Sequence, residues 1–209
     1  MSATISEELL RAENIKIIKN LGIQHSLLPS QQNISHQMKE YINDPELQGY
    51  AYSLTGDIGG GKTLTTMQTI KSVKESNPSL TVSFLTFDPS ENEFKYHPAF
   101  RKNMNSSLIV WNDFHYWLQA VAEGRLSKET EVPKIVNILN KVNDKIKKSI
   151  VITDRPIKDS VDSIGNPDLK KLGDYYFAAP NELITGKYED LLQISRNYGW
   201  SIDDRILWN

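Results

Sequence analysis

The sequence lacks several features that would have assigned it to a particular class. None of its 209 residues is cysteine, so disulfide bonds and cysteine-ligated metal sites are excluded. No apolar run approaches the length that a membrane-spanning helix needs. Met1 is followed by a polar, acidic stretch, which does not have the pattern of a secretory signal. We therefore expect a cytoplasmic protein with no membrane span.

The chain also lacks a strong excess of charge of either sign. It has 24 basic and 26 acidic residues, with a net charge of -2. A surface of this kind is not a uniformly basic field for nucleic acid. Any contact with DNA would therefore come from local loops. With 39% hydrophobic residues, the chain has the composition of an ordinary globular domain.

Short apolar runs alternate with helical patterns along most of the chain. The strand-like runs lie at residues 50–55, 80–87, 107–111, 149–153 and 174–179. This alternation predicts an α/β fold with a mainly parallel sheet of about five strands, flanked by helices. We predict a core over residues 48–209 and a helical N-terminal extension over residues 1–47.

Several boundaries follow from local signals. In the extension, Pro29 is expected to separate two helices, with residues 30–35 as a linker. Residues 90–105 are expected to form a loop or a loose helix, residues 124–132 a loop, and Pro133 is expected to open a helix. A last helix is expected over residues 187–197.

A glycine-rich run follows the first predicted strand. It satisfies the pattern G-x-x-x-x-G-K-[ST] without a gap, and a helical pattern follows it. Glycines let backbone N–H groups surround a phosphate, and the next helix presents its positive end to the same anion. The run predicts a nucleoside triphosphate site, in which lysine reaches the phosphates and threonine ligates Mg²⁺. The predicted nucleotide-binding residues are Gly56, Asp57, Ile58, Gly59, Gly60, Gly61, Lys62, Thr63 and Leu64.

This loop does not by itself separate ATPases, GTPases and small-molecule kinases. Asn140-Lys141-Val142-Asn143 comes close to the N-K-x-D pattern that reads guanine. Asn143 stands where the aspartate is needed, and the segment continues a helical pattern. We therefore interpret it as a helix surface.

An Asn-Asp pair ends the third predicted strand, where hydrolytic P-loop enzymes commonly place two acids. Asp113 is the candidate for the carboxylate that orients the attacking water. Asn112 can bind Mg²⁺ through a water molecule, but it brings no negative charge to the ion. The predicted metal-associated residues are thus Thr63, Asn112 and Asp113. The alternative is that the pair caps the next helix. Asp88 is a weaker candidate base, since Asp88-Pro89 is also a turn signal.

The fourth predicted strand and its end resemble a known superfamily. Ile150 to Pro156, with Thr153, Asp154 and Arg155 at the strand end, is similar to the strand-T-Q-R-P segment of the FtsK/HerA DNA translocases. Leu108 to Phe114 is similar to their V-V-V-V-D-E-F segment. The resemblance covers Gly56 to Pro156, and it implies that Thr153 or Asp154 senses the γ-phosphate.

Within that superfamily, the small size of the chain resembles the viral genome-packaging ATPases, most of all the packaging NTPase of turreted icosahedral viruses of hyperthermophilic archaea. The resemblance implies an ATP- and Mg²⁺-dependent motor that moves double-stranded DNA, without sequence preference, into a capsid. It also implies a homo-oligomeric ring, whose assembly depends on nucleotide or capsid, and contacts with capsid vertex proteins. Such a protein would lie in the host cytoplasm or on the virion.

The sequence departs from that family at three places. Asn112 replaces the Mg²⁺-associated aspartate, Asp154 replaces the sensor glutamine, and Asn143 falls near an expected arginine. Arg155 and Arg125 remain as candidate arginine fingers. The other functions in view are a cellular HerA/FtsK-like translocase, a nucleotide-dependent scaffold with little turnover, and a small-molecule kinase.

Residues that could contact DNA are hard to identify in the sequence. Two basic clusters are more typical of solvated faces, and an aromatic run is more typical of core than of a base-stacking surface. The clusters are Lys95, Arg101, Lys102, and Lys141, Lys145, Lys147, Lys148; the run is Trp111, Phe114, His115, Tyr116 and Trp117.

Overall fold

The computed structural model describes residues 16–21, 26–45, 51–56, 60–100, 102, 106–143, 148–154, 161–162, 164–167, 170 and 181–184, without the side chains of residues 137–143 and 181–184. The helices are α1 (Pro29–Asn43), α2 (Lys62–Ser76), α3 (Phe114–Ala122) and α4 (Lys128–Asn143). The strands are β1 (Ala51–Gly56), β2 (Val82–Asp88), β3 (Glu93–Tyr96), β4 (Leu108–Asn112), β5 (Lys148–Thr153) and β6 (Asn181–Ile184). Residues 16–20 are also helical.

The six strands form one sheet in the order β3-β2-β4-β5-β1-β6. Five of them run parallel, and β3 pairs antiparallel with β2 at one edge. Strand β5 lies between β1 and β4 and pairs with both. The carboxyl ends of β1, β4 and β5 therefore meet at one edge of the sheet, where ligands of parallel α/β sheets bind. The predicted fold class is confirmed.

Helices cover both faces of the sheet, as alternate strand residues point to opposite sides. On one face, Ile109 and Trp111 pack with residues of α3 and α4. On the other, Leu108 and Val110 pack with residues of α1 and α2. Burial on both faces explains why β4 is apolar through most of its length and why β5 has an apolar centre.

Helix α1 starts earlier than the sequence suggested. The expectation that Pro29 and residues 30–35 separate two helices is wrong, because Pro29 is the first residue of α1. Proline favours that position, since its fixed φ suits a helix and the first turn needs no N–H donor. Ile34, Met38 and Tyr41 lie in the core, so α1 packs on the sheet. The predicted boundary between residues 47 and 48 stays a prediction.

Strand β3 was missed, since residues 90–105 were expected to form a loop or a loose helix. A tight turn follows β2, with Ser90 donating to Asp88 Oδ1 and Asn92 at a φ of 54°. Phe94 then packs against Phe87 and Trp111. An alternating pattern of only four residues, Glu93–Tyr96, is too short to stand out from a polar loop.

Helix α4 begins at Lys128, five residues before Pro133. The expectations of a loop through residue 132 and of a helix opened by Pro133 are both wrong. The predicted strand at 174–179 and helix at 187–197 lie outside the described residues. Strand β6 (Asn181–Ile184), which pairs with β1, was not predicted. Along the described part of the chain, no helix combines the length and the apolar character needed to cross a membrane.

Candidate phosphate site

The glycine loop joins β1 to α2, as its sequence context predicted. Gly61 is the N-cap residue of α2 and has a φ of 81°, a backbone conformation that favours glycine. Because glycine offers no capping side chain, the first-turn N–H groups of α2 remain suited to an anion. Lys62 Nζ donates to Gly56 O at 2.6 Å, across the loop. Asp57, Ile58 and Gly59 lie outside the described residues, and the Leu64 side chain is 37% exposed beside the loop.

A chain of hydrogen bonds links the glycine loop to the end of β4. Thr63 Oγ1 donates to Asn112 Oδ1 at 2.8 Å, and Asn112 Nδ2 donates to Asp113 Oδ2 at 2.8 Å. Asn112 is buried, and both the oxygen and the nitrogen of its side-chain amide are hydrogen-bonded. The three residues predicted to be associated with metal are therefore brought together, with Asn112 between the other two.

The side chain of Asp113 is not used to cap the following helix. Asp113 is the N-cap residue of α3, at φ 57° and ψ 33°, but its side chain makes no capping hydrogen bond. Burial raises the pKa of the Asp113 carboxyl; charges of His115 and Lys62 lower it, and Asp154 raises it further. A carboxylate that is partly buried and held in an unusual backbone conformation is a feature of functional sites.

The end of β5 contributes one accessible polar side chain. Thr153 is fully buried, and its hydroxyl has no hydrogen-bond partner among the described residues. The Asp154 side chain is 19% exposed, and its Oδ1 lies 3.5 Å from His115 Nδ1. Of the two residues proposed to sense a phosphate, Asp154 is therefore the better placed to meet a ligand. Arg155 lies outside the described residues.

Two residues that contact the site were missed in the sequence. His115 was grouped with the aromatic core, but its Nδ1 lies 3.5 Å from Asp154 Oδ1. Its spacing of two residues from Asp113 was the available signal. Gln31, in α1, donates from Nε2 to Gly60 O at 3.3 Å. No sequence signal connects a glutamine 29 residues upstream with the loop.

The remaining members of the aromatic run behave as predicted. Trp111, Phe114 and Trp117 are buried in the core, and their rings pack against each other.

Other candidates have different partners. Asp88 accepts hydrogen bonds from Lys95 and Ser90, which hold the pKa of its carboxyl well below the usual range. Asp88 therefore stands in a turn, as its Asp-Pro sequence indicated. Arg125 donates to Glu123 Oε2 and to Asn92 Oδ1, both at 2.7 Å.

Two lysines of the basic clusters have specific partners in the structure. Lys95 pairs with Asp88 and Glu91. Lys148 is buried, and its ammonium donates to the carbonyls of Tyr41 and Asp44, so its assignment to a solvated face was wrong.

The donor set at the loop fits Mg²⁺ bound together with phosphates. Among the described residues, no three His, Asp or Glu side chains form a metal-binding cage. Mg²⁺ usually takes one or two protein oxygens, with water and phosphate oxygens completing its shell. The Thr63 hydroxyl, with Asn112 and Asp113 behind it, matches that requirement.

The fold and the loop together define a P-loop NTPase architecture. The model is similar to domain III of the replication initiation protein DnaA from Thermotoga maritima, with a TM-score of 0.59, 15% identity, and coverage of 88% of this chain and 76% of that one. It is also similar to AMPPCP-bound DnaA from Aquifex aeolicus, with a TM-score of 0.58, 12% identity, and coverage of 88% and 56%. A third similar structure is DnaA bound to AMPPCP and single-stranded DNA, with a TM-score of 0.57, 11% identity, and coverage of 92% and 58%. These neighbours are P-loop AAA+ domains.

At these identities the likeness shows the fold alone. The chain spans a little over half the length of two of these DnaA structures. No protein-family model matches the chain, and no curated protein matches it. These neighbours give no support to the FtsK/HerA packaging family.

Proposed function

We propose that this chain binds and hydrolyses ATP at the glycine loop and uses the cycle to act on DNA. The observation that carries the proposal is the continuous chain from Thr63 through Asn112 to Asp113. It connects the phosphate loop to a carboxylate on a neighbouring strand end. Analogy with the neighbouring structures, two of which contain AMPPCP, adds support for ATP as the nucleotide.

Each residue has a distinct part in this proposal. The backbone of residues 56–61 and the Lys62 ammonium hold the phosphates. Asn112 Oδ1 accepts a hydrogen bond from the Thr63 hydroxyl, so the lone pairs of that hydroxyl face away from Asn112 and can ligate the cation. Bound Mg²⁺ supplies charge neutralisation of the phosphate oxygens. Asp113 orients the attacking water and accepts its proton.

The finer form of the proposal is the motor. In it, residues 48–209 are the ATPase core, the chain assembles into a ring, and double-stranded DNA is moved into a capsid. Its support is the resemblance over Gly56 to Pro156. DNA as the substrate is also supported by analogy with a neighbour that holds single-stranded DNA. A comparison of ATP turnover alone, with duplex DNA and with single-stranded DNA tests it.

Stimulation by duplex DNA is the expected result of that comparison. Stimulation by single strands alone would replace the motor with a single-strand-binding ATPase. Turnover that neither form of DNA changes would remove DNA from the proposal.

A second candidate is a nucleotide-dependent switch with little turnover. Asn112 favours it, because an amide brings no charge to the cation where an aspartate would. The test is ATP binding measured beside phosphate release under the same conditions. Tight binding with Mg²⁺ and no release above the Lys62→Ala background would favour the switch over the hydrolase.

A further inference from the structure

Helix α1 places one buried side chain against the glycine loop. Gln31 is 5% exposed, and its Nε2 donates to Gly60 O at 3.3 Å. At the other end of the same amide, Oε1 accepts from Leu28 N at 3.1 Å. Because the Leu28 N–H can bond only to the oxygen, the NH₂ group is fixed toward the loop.

The position of α1 is itself secured. Thr69 of α2 donates to Ser35 of α1 at 2.8 Å, and Ile34 and Met38 are buried in the core beside α2. Gln31 thus reaches the loop from a helix that is packed on the sheet.

The hydrogen bond to Gly60 has a geometric consequence for the next residue. The carbonyl of Gly60 and the N–H of Gly61 belong to one trans peptide unit, in which they point in opposite directions. A carbonyl held toward α1 therefore turns the Gly61 N–H away from α1. Gly61 also has no space for a side chain, because a Cβ built there would collide with the Gln31 amide.

We propose that Gln31 is a positioning residue for phosphate binding, which holds the Gly60–Gly61 peptide so that the Gly61 N–H faces the bound phosphate. This inference rests on the proposed nucleotide site. Gln31 touches the loop and no reacting atom, so it sets affinity for the phosphates and leaves the rate of the chemical step unchanged.

Two substitutions separate this role from the capping of α1. Gln31→Glu keeps an acceptor for the Leu28 N–H, as glutamate commonly does at this helix position, but cannot donate to Gly60. Gln31→Leu removes both bonds without adding charge. Gln32→Glu is the matched control, because Gln32 is the next residue of the same helix, is exposed, and its side chain bonds only to Leu27 O among the contacts described.

The experiment measures the Kd for Mg-ATP, the KM and kcat of hydrolysis, and inhibition by tripolyphosphate, which carries no base. Losing one neutral hydrogen bond is expected to raise Kd and KM about 3- to 10-fold in both Gln31 variants. The tripolyphosphate inhibition constant should rise by a similar factor. We expect kcat to stay within about twofold of the parent value, since the bond acts equally on ground and transition states. Gln32→Glu should match the parent throughout.

Other results would overturn the inference. Parent-like affinity of Gln31→Leu for Mg-ATP would show that Gln31 does not position the loop. If only Gln31→Glu binds more weakly, the loss of affinity comes from charge repulsion between the glutamate and the phosphates. An unchanged tripolyphosphate constant beside weaker ATP binding would place Gln31 at the base. If Gln31→Leu does not fold, Gln31→Glu with parent-like affinity still overturns the inference. A parent protein that binds no Mg-ATP would instead refute the proposed function.

Discussion

The Lys62 ammonium donates a hydrogen bond to a carbonyl of its own loop, Gly56 O, at 2.6 Å. A bound phosphate would take over this ammonium, whose charge stabilises the transferring phosphoryl group. Lys62→Ala is expected to keep the fold, because the side chain points into the loop and not into the core. Phosphate release should fall at least about 100-fold. Lys128→Ala, which removes an exposed lysine, is the control; near-normal turnover in Lys62→Ala would refute the site.

The Asp113 carboxyl has a proposed catalytic role, and its ionised form lowers the stability of the folded protein. Its pKa is raised mainly by burial, so its contribution to stability is present below the unfolded pKa and is lost as pH rises through the folded pKa. At neutral pH, Asp113→Asn should therefore melt at a higher temperature than the parent, and this difference should vanish in acid. Its turnover should be at least about 100-fold slower, with ATP binding retained.

Thermal melts across pH and single-turnover hydrolysis check the two halves of this prediction. If Asp113→Asn hydrolyses ATP at the parent rate, the base lies elsewhere, and Asp154 is the next residue to substitute.

Asn112 allows a third test at the residue scale. Its Nδ2 donates to Asp113 Oδ2 at 2.8 Å, so Asn112→Asp would place two carboxylates side by side. We expect a lower melting temperature without divalent cation and a larger gain on adding Mg²⁺ than the parent shows, because the cation offsets the repulsion. Thermal melts with and without Mg²⁺ measure this rise in melting temperature. A rise equal to that of the parent would show that residue 112 does not take part in metal binding.

At the scale of elements, α1 is joined to the sheet by a hydroxyl. Tyr41 Oη donates to Ser149 O and accepts from Ser149 N, both at 3.0 Å, at the start of β5. Burial raises the pKa of Tyr41 far above its ordinary range, so this hydroxyl stays protonated. Tyr41→Phe leaves two buried backbone groups of Ser149 without this partner and should cost about 1–3 kcal/mol of unfolding free energy.

Chemical denaturation gives that free energy. Tyr96→Phe serves as the control, since Tyr96 lies on the edge strand β3 and is only partly buried. An equal loss in both variants would show that the Tyr41 hydroxyl has no special part in joining α1 to the sheet.

The sequence predicted the central elements well, for a physical reason. β1, β4 and β5 are buried on both faces, and each contains a short group of apolar residues that stands out in the sequence. A helix follows the glycine loop, as predicted: α2 begins at the loop lysine and ends at Ser76, before Asn77-Pro78. The edge of the sheet was less readable, because β3 is short and alternates polar with apolar residues.

The site was predictable wherever it is local in sequence. The loop and the Asn112-Asp113 pair carry their own patterns and stand at strand ends. Gln31 and His115 belong to the site only through tertiary packing, which brings α1 onto the loop and α3 beside Asp154. The roles of all these residues stay predictions.

At the scale of the whole molecule, we expect assembly to depend on ligands. No long heptad seam marks the sequence, and Leu64 is the exposed large hydrophobic residue among those described. Ring contacts of modest area would then need nucleotide and DNA to close. We predict a monomer or loose mixture alone, and higher oligomers with a non-hydrolysable ATP analogue plus duplex DNA. Light scattering after size exclusion measures this.

Mixing of variants tests whether an arginine acts across subunits. Arg155→Ala combined with Lys62→Ala should recover part of the activity, since some boundaries would pair an intact loop with an intact arginine. Full activity of Arg155→Ala alone would exclude Arg155. Arg125 is a weaker candidate, since it is bonded to Glu123 and Asn92 of its own chain. A chain that stays monomeric with both ligands and turns over at an unchanged rate would contradict the motor.

Helix α1 touches both ends of the sheet. Its first turn meets the glycine loop through Gln31, and about 15–20 Å along its axis the carbonyls of its end accept hydrogen bonds from the buried Lys148 ammonium. A cavity of about 300 Å³, lined in part by Asn43, Ser79 and Lys148, opens beside that far end. Because α1 is a rigid element that is held near both of its ends, a movement at one end is transmitted to the other. We expect that a ligand which fills this cavity and tilts α1 changes the affinity for phosphate, and by linkage nucleotide would then change the affinity for that ligand by the same factor.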